Sequence, residues 1–466
     1  MNKSAPRSEY ALERRRAFLI GLALFCCYAY FFYLGGNWNI ESHYAQIFAL
    51  AERGTLVIDN YPFLPPGGGD AARYQGHYYS DKLIGPSLVA APVYVLVRRA
   101  LSAAGLPFRT AVYLSLRATN VVANALPSAL LVALLYLFLA ELGLDPRLRA
   151  WLAFTYGLGT LAFPYSTVFF GHQLAAVSIA FAFMLLWRQR EEWSNRRALA
   201  AGAFAGFAAI SDAMGIFVAI FLGVYAIWLS AQQRNGAGMV ARRIIPFAVI
   251  ALAIFAIQLT ANWVSFGNPL TFPHIYHTQE AFRARHRAGF FGLHAPQLYP
   301  LYQLTVGPWR GLFYGSPVLL LAFPGLYLLG RTRRAEALLI GAAYLWVVLL
   351  NSGYENWTTG SAYGPRYQIV TLPLLIIAAA PSAQKWPHVF RILALVSIAF
   401  TAIVTAQTPF LPEDLHNPLA NALQQFAQGN LLQGNLGMVM GLQGIGSLYP
   451  LALIEAVLLF LLRLRR

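Results

Sequence analysis

The chain has 466 residues, 58% of them hydrophobic and only 11% charged, with a mean hydropathy of +0.53. Those values exclude an ordinary soluble domain and point to a polytopic membrane protein. The formal charge of +16 would suit nucleic acid if it formed one patch, but it is scattered between apolar segments, which excludes that class.

Cutting the chain at its polar breaks predicts apolar segments near 18–35, 83–100, 110–126, 127–143, 150–167, 172–187, 198–212 and 213–230, then near 244–261, 309–330, 335–352, 366–381, 389–407 and 445–462. Several are shorter than the ~20 residues a full span needs, which gives 12–14 crossings in one membrane domain, 1–466. With Arg14-Arg15-Arg16 in the cytoplasm and strict alternation, the inside loops hold 25 of the 34 lysines and arginines. Among the 25 are Lys3, Arg98, Arg99, Arg109, Arg234, Arg465 and Arg466. That asymmetry is the positive-inside signature, so the net charge reads as an orientation signal. Three long loops, 36–82, 262–308 and 408–444, then face outside, as do eight of the nine histidines, all but His388. Cys26 and Cys27 sit side by side in the first span and can neither pair with each other nor form a metal site.

The first loop holds an unusual share of the chain's polar chemistry. It carries Glu41, Glu52, Asp59, Asp70 and Asp81, with Lys82 at its end. Residues 40–53 fit a short amphipathic helix with Ile40, Tyr44, Ile47, Phe48 and Ala51 on one face, lying along the membrane surface and stopped by Gly54. Pro65-Pro66-Gly67-Gly68-Gly69 forbids regular structure in mid-loop. Glu41, just past the first span, is a carboxylate whose boundary position can raise its pKa enough for a general base. Its alternative reading is an interfacial cap. Lys82 opens the next apolar segment at head-group level, where an ammonium either meets a phosphate or simply snorkels. Gly85 and Pro86 loosen the helix start there.

Further along, Arg117, Asn120 and Asn124 share a helical face inside a segment, as functional groups or as packing contacts. His172 ends a tight turn, and Asp212 at the apex of a hairpin is expected to cap the following helix. Arg283, Arg285 and Arg287 suit an anionic head group or a solvated face. In N-S-G-Y-E-N-W-T-T-G-S-A-Y-G-P-R-Y, Arg366 stands at the mouth of an apolar segment, where a guanidinium binds an anion bidentately. No familiar metal motif, P-loop or dinucleotide fingerprint occurs. No cofactor is expected, although a divalent cation held by Glu41 and Asp59 together with substrate is compatible with the residues.

Taken in order, the acidic residue after the first span, G-H-Y-Y-S-D-K-x-x-G-P-S-x-x-A-A-P, G-T-L-A-F-P-Y-S, R-G-L-F-Y-G-S-P and W-T-T-G-S-A-Y-G-P-R-Y resemble the integral-membrane glycosyltransferases of the GT-C fold. The likeness is to the bacterial branch related to protein mannosyltransferases and lipid A aminoarabinose transferases. It implies an all-α bundle in a bacterial cytoplasmic membrane, with the active site on the extracytoplasmic face. It also implies a polyprenyl-monophosphate sugar donor, a hydroxyl acceptor on a lipid, glycan or protein, and inverting transfer. By that resemblance Glu41 is the base, with Asp59 or Asp81 as alternatives, because the Asp-Glu pair often found there is absent. Lys82 and Arg366 meet the lipid phosphate, and Tyr79, Asp81, His172 and Tyr363 line the substrate site. The chemistry agrees, since departure of a phosphate needs cations and the incoming hydroxyl needs a carboxylate. A transporter or flippase would carry charged pairs within spans and inverted repeats, neither of which is evident. A purely structural membrane subunit would leave the long polar loops unexplained. A glycan ligase or polymerase on the same fold would use similar residues.

Overall fold

In a computed structural model that describes residues 7–33, 36–232 and 236–463, the apolar segments become helices that run from one end of a bundle to the other. Lys3, Arg234, Arg465 and Arg466 lie outside the described residues. The principal helices are α1 (Arg7–Tyr30), α2 (Trp38–Phe48), α3 (Gly85–Ala103), α4 (Phe108–Leu142), α5 (Pro146–Leu158), α6 (Gly171–Trp187) and α7 (Asn195–Ala209). They continue as α8 (Ala213–Gln232), α9 (Ala237–Phe266), α10 (Pro317–Gly330), α11 (Arg334–Ser352), α12 (Arg366–Lys385), α13 (Pro387–Gln407) and α14 (Gly444–Arg463). Seven of these, α4, α8, α9, α11, α12, α13 and α14, are long and apolar enough to cross a membrane. The protein is therefore a multi-pass helical membrane protein.

Three of the expected segments are corrected. Residues 110–126 and 127–143 form one 35-residue helix, α4. Pro127 does not break it because the preceding turn, Val121–Ala125, widens to π geometry and frees the backbone there. The segment 83–100, which becomes α3, does not traverse the bundle. Tyr94 donates to Glu52 (2.8 Å), Arg98 pairs with the same carboxylate (3.4 Å), and Arg109 donates to the Pro62 carbonyl oxygen (2.6 Å). These contacts hold α3 at the end of the bundle that carries the first loop. Arg98, Arg99 and Arg109 consequently stand at the loop end, contrary to the alternation expected from the sequence. Removing one segment and fusing two others leaves twelve of the fourteen, so the two ends of the chain stay on the same side. At that opposite end Glu13 binds Arg149 (2.6 Å) and Tyr136 (2.9 Å), and Glu336 binds Tyr225 (2.6 Å) and Arg190 (3.2 Å).

The three long loops interlock over the bundle's other end. Phe31–Phe32 (β1) pairs antiparallel with Gly434–Asn435 (β4), and a hairpin forms from Ala71–Tyr74 (β2) and His77–Ser80 (β3). The hairpin turns on Gln75 and Gly76, both with positive φ, and starts just past the Pro65–Gly69 stretch that the sequence marks as irregular. Ala72 bridges to His277, and Leu293 to Tyr354. The Tyr363 amide donates to the Pro409 carbonyl (2.8 Å). The polar loops thus share backbone hydrogen bonds, as buried amides require.

Candidate functional site

Helix α2 starts where Asn37 accepts from the amides of Asn39 and Ile40, and it ends through a π turn at Gly54 in the left-handed conformation. The expected apolar face is buried, but so is the polar one: Glu41, Ser42, His43 and Gln46 are all inside. Such a helix is packed into the protein on its polar as well as its apolar face rather than lying as a raft on a surface.

On one side of it lies a cluster of charges. The Lys82 ammonium sits between Asp81 (2.9 Å) and Asp70 (3.1 Å). Ser42 ties that cluster to α2, its hydroxyl reaching Asp81 (3.0 Å) and Ser80 (2.8 Å). Nε2 of His277 stands 3.9 Å from both aspartates and has no hydrogen-bond partner. Burial works against the Lys82 charge, but Asp70 and Asp81 more than offset it, so its proton is held more tightly than usual. Arg366, 284 positions later (366 − 82), is near enough to oppose that effect. Its guanidinium lies over Phe170 (5.4 Å) and Tyr367 (5.9 Å), and its buried Nε has no partner. The two cations that the sequence singled out thus lie within electrostatic reach of one another.

Helix N-termini converge with them. Arg366 is the first residue of α12, Lys82 precedes α3, and α6 begins at Gly171 without a side-chain cap. Uncapped N-termini present amides and a partial positive charge. The packing that brings them together needs glycine. A Cβ on Gly171 would overlap the Ser211 carbonyl oxygen, and one on Gly85 would stand 2.6 Å from the Ile210 oxygen. Gly85 is thus a close-packing residue rather than a loosener, and its amide donates to that same oxygen (2.8 Å). His172 bonds through Nδ1 to Asp212, whose other oxygen accepts from the Met214 amide (2.8 Å). Asp212 is the helix cap expected from the sequence and also the anchor of the imidazole. The ring of His172 stacks on Phe170 (5.7 Å) and meets Tyr367 edge-on (5.5 Å).

The other side of α2 holds Glu41. Its carboxylate accepts from Tyr61 (2.6 Å) and faces Arg117 (3.7 Å), whose guanidinium lies over Tyr44 (5.1 Å) and Tyr113 (4.6 Å). Burial raises the carboxyl pKa, with Tyr61 and then Arg117 acting against that rise. Glu41 lines a cavity of about 120 Å³ together with Gly36, Tyr61, Phe63 and Leu116. Tyr44, Tyr113 and Arg117 form its boundary with a second, mainly apolar cavity of about 590 Å³. Phe31 to Tyr33, Val168, Phe169 and Leu436 to Val439 help to enclose that larger space. Asn120 and Asn124, expected on a common face with Arg117, instead hold the 165–168 turn, donating to the Thr167, Tyr165 and Val168 carbonyls.

Three other expected site residues stand apart. Asp59 accepts from the Tyr78 amide (2.6 Å) and contacts His77 (2.7 Å), which fixes the β2–β3 hairpin. Glu41 and Asp59 thus have separate partners, and among the described residues no group of three or more His, Cys, Asp or Glu is arranged to hold a metal ion. Tyr79 packs on Phe266 (5.4 Å). Tyr363 is buried, its carbonyl accepting from Tyr165 (3.0 Å). Its loop is clamped by the fully buried Arg310, which donates to the carbonyls of Thr358 (3.1 Å), Gly360 (2.9 Å) and Ala362. Burial lowers the Arg310 pKa to about 10. Sequence reading did not single out Asp70, His277, His43, Tyr61, Tyr354 or Tyr367 for roles. The last two lie inside a motif it quoted, so the tyrosines flanking Arg366 were the available signal.

No family model matches the chain, and no curated protein matches it. Among solved structures, ArnT from Cupriavidus metallidurans bound to undecaprenyl phosphate superposes with a TM-score of 0.54 at 17% identity, over 98% of this chain and 76% of that one. The same ArnT in the apo state gives 0.49 at 18% identity, over 95% and 71%. The archaeal oligosaccharyltransferase AglB from Archaeoglobus fulgidus, in complex with an inhibitory peptide and a dolichol-phosphate, gives 0.47 at 13% identity, over 92% of this chain and 57% of that one. The likeness to the first is one of fold, and the fold is GT-C.

Proposed function

We propose that the protein is a membrane glycosyltransferase that moves a sugar from a polyprenyl-monophosphate donor to a hydroxyl acceptor at the loop end of the bundle. The observation that carries this reading is the meeting of Lys82 and Arg366 at converging helix N-termini, with a buried guanidinium nitrogen left unpartnered. A phosphate there meets cations, dipoles and aromatic walls at once, and each stabilises the charge that grows as the glycosyl bond breaks. The ArnT structure with the same fold holds undecaprenyl phosphate, which is a lipid of the proposed donor class.

In this reading the loop end faces the periplasm of a bacterial cytoplasmic membrane, as the basic residues at the other end favour. Glu41 is the base. Its raised proton affinity suits removal of a hydroxyl proton, and Tyr61 and Arg117 fix its orientation. The acceptor oxygen attacks the anomeric carbon from the face opposite the departing phosphate, so the configuration inverts. Its proton passes to Glu41, and the bonding pair leaves with the phosphate oxygen toward Lys82 and Arg366. Asp81 keeps Lys82 in place, and Asp212 holds His172.

The test is incubation of the purified protein in lipid with radiolabelled polyprenyl-phosphate sugars. Release of polyprenyl phosphate together with a labelled, chemically stable product is expected. Absence of any donor binding or turnover across pentose, hexose and amino-sugar donors would remove the proposal.

A further inference from the structure

On the same helix as Glu41 sits His43, a residue that the reaction scheme leaves unused. It is 3% exposed, and its ring stands edge-on to Phe169 with centroids 5.6 Å apart. Its Nδ1 is buried and has no hydrogen-bond partner. An unsatisfied buried nitrogen is costly in a finished structure, so a partner is expected to arrive from outside the chain. The surroundings say what kind. His43 lies in the field of Lys82 and His172, and these two, after burial, hold its proton affinity well below the ordinary histidine value. The ring is therefore neutral, with one nitrogen donating and the other accepting. An incoming cation would be repelled here, whereas an oxyanion is drawn by Lys82 and Arg366.

We infer that His43 donates an N–H to a phosphoryl oxygen of the lipid donor, as a third ligand of the phosphate beside Lys82 and Arg366. The inference rests on the proposed donor and deepens it. The geometry supplies a role that neither cation can fill. Lys82 is already shared between two carboxylates, and the Arg366 guanidinium is held over the rings of Phe170 and Tyr367. His43 contributes from α2, the helix that also carries Glu41, so it fixes the phosphate relative to the base. The ordinary alternative, a packed core histidine, leaves Nδ1 unexplained, because no carbonyl or hydroxyl among the described residues reaches it.

The experiment measures binding of undecaprenyl phosphate and of undecaprenol to the full chain in detergent, for the natural protein and for His43→Ala and His43→Gln, with thermal unfolding of each. A hydrogen bond to a charged group is worth about 10- to 100-fold in affinity. His43→Ala should therefore weaken undecaprenyl phosphate by that factor and leave undecaprenol unchanged. His43→Gln, whose amide can still donate, should recover most of the loss. Failure of the natural protein to prefer undecaprenyl phosphate over undecaprenol would sink the donor reading itself. Retained affinity in the alanine variant, with the natural protein still selective, would overturn only the role of His43. Equal losses in the alanine and glutamine variants would overturn it too, because they would mean that packing matters rather than the N–H. An alanine variant that binds normally but transfers slowly would place the imidazole on the acceptor instead, which also refutes the inference.

Discussion

Replacing Glu41 by Gln separates charge from shape at the proposed base. The amide oxygen can still accept from Tyr61, which now bonds the carboxylate at 2.6 Å, and side-chain volume is kept. What disappears is the charge opposite Arg117 at 3.7 Å. Coulomb's law at an effective dielectric near 20 gives about 4 kcal/mol for two unit charges at that separation. Most of that is offset, because a neutral amide no longer bears the cost of burying a carboxylate. Arg117 also keeps its seat over Tyr44 and Tyr113, contacts worth roughly 1–2 kcal/mol each when desolvated. The expected net loss of stability is therefore small, about 1–2 kcal/mol, whereas loss of a general base costs ~10²–10⁴-fold in rate. The assay is sugar transfer from a labelled polyprenyl-phosphate donor in proteoliposomes, read beside thermal unfolding and undecaprenyl phosphate binding. The sign of the pH dependence follows from the raised pKa: activity needs the ionised carboxylate, so it falls as pH drops through a midpoint above the ordinary carboxylate range. Glu41→Gln should lose that acid limb along with its rate. A glutamine variant with full turnover would remove Glu41 from the chemistry, and Asp81→Asn would then be the variant to make, since Asp59 is held by its own hairpin.

Other outcomes follow from the same contacts. Lys82→Met and Arg366→Met should each weaken undecaprenyl phosphate about 10- to 100-fold, measured as binding to the detergent-solubilised protein. Arg149→Ala should destabilise by about 1–3 kcal/mol in thermal unfolding, because buried Glu13 loses one charged partner and keeps Arg16 and Tyr136. Gly171→Ala should cost ~1–3 kcal/mol, or displace the Ser211 turn and with it donor binding, since the added methyl has no room. Cysteines introduced at Gly105 and Asp70 should react with an impermeant reagent from the same side of the membrane; labelling from opposite sides would refute the placement of α3.

The helical bundle was legible in the sequence because burial in lipid demands continuous apolar runs, and those runs are plain. The two errors came from the same signal. Helix α3 holds a long apolar run yet is not among the seven helices apolar enough to cross, and Glu52, the partner of its Tyr94 and Arg98, shows that it stays at the loop end. Helix α4 contains a proline that normally marks a boundary, and a local π turn absorbs it. Lys82 and Arg366 could be named from their motifs, but their convergence could not, since it depends on glycine contacts between helices far apart in sequence. Glu41 was recognised by position, while Arg117 was weighed without its partner. The β2–β3 hairpin and the approach of Asp70 to Lys82 have no signature in the sequence because hydrogen-bond partners in irregular loops follow no period.

The pairing of Phe31–Phe32 with Gly434–Asn435 joins strands 403 positions apart (434 − 31), and it has a consequence for biogenesis. Loop closure over such a separation comes late, after most helices have been threaded into the lipid. Until residues 434–439 arrive, the larger cavity lacks one wall and the edge of β1 is unpaired. A nascent chain halted before that point would already hold Lys82, Arg366 and Glu41 yet leave the apolar cavity beside Arg117 open on one side. The last long loop to be made is thus the one that closes that cavity.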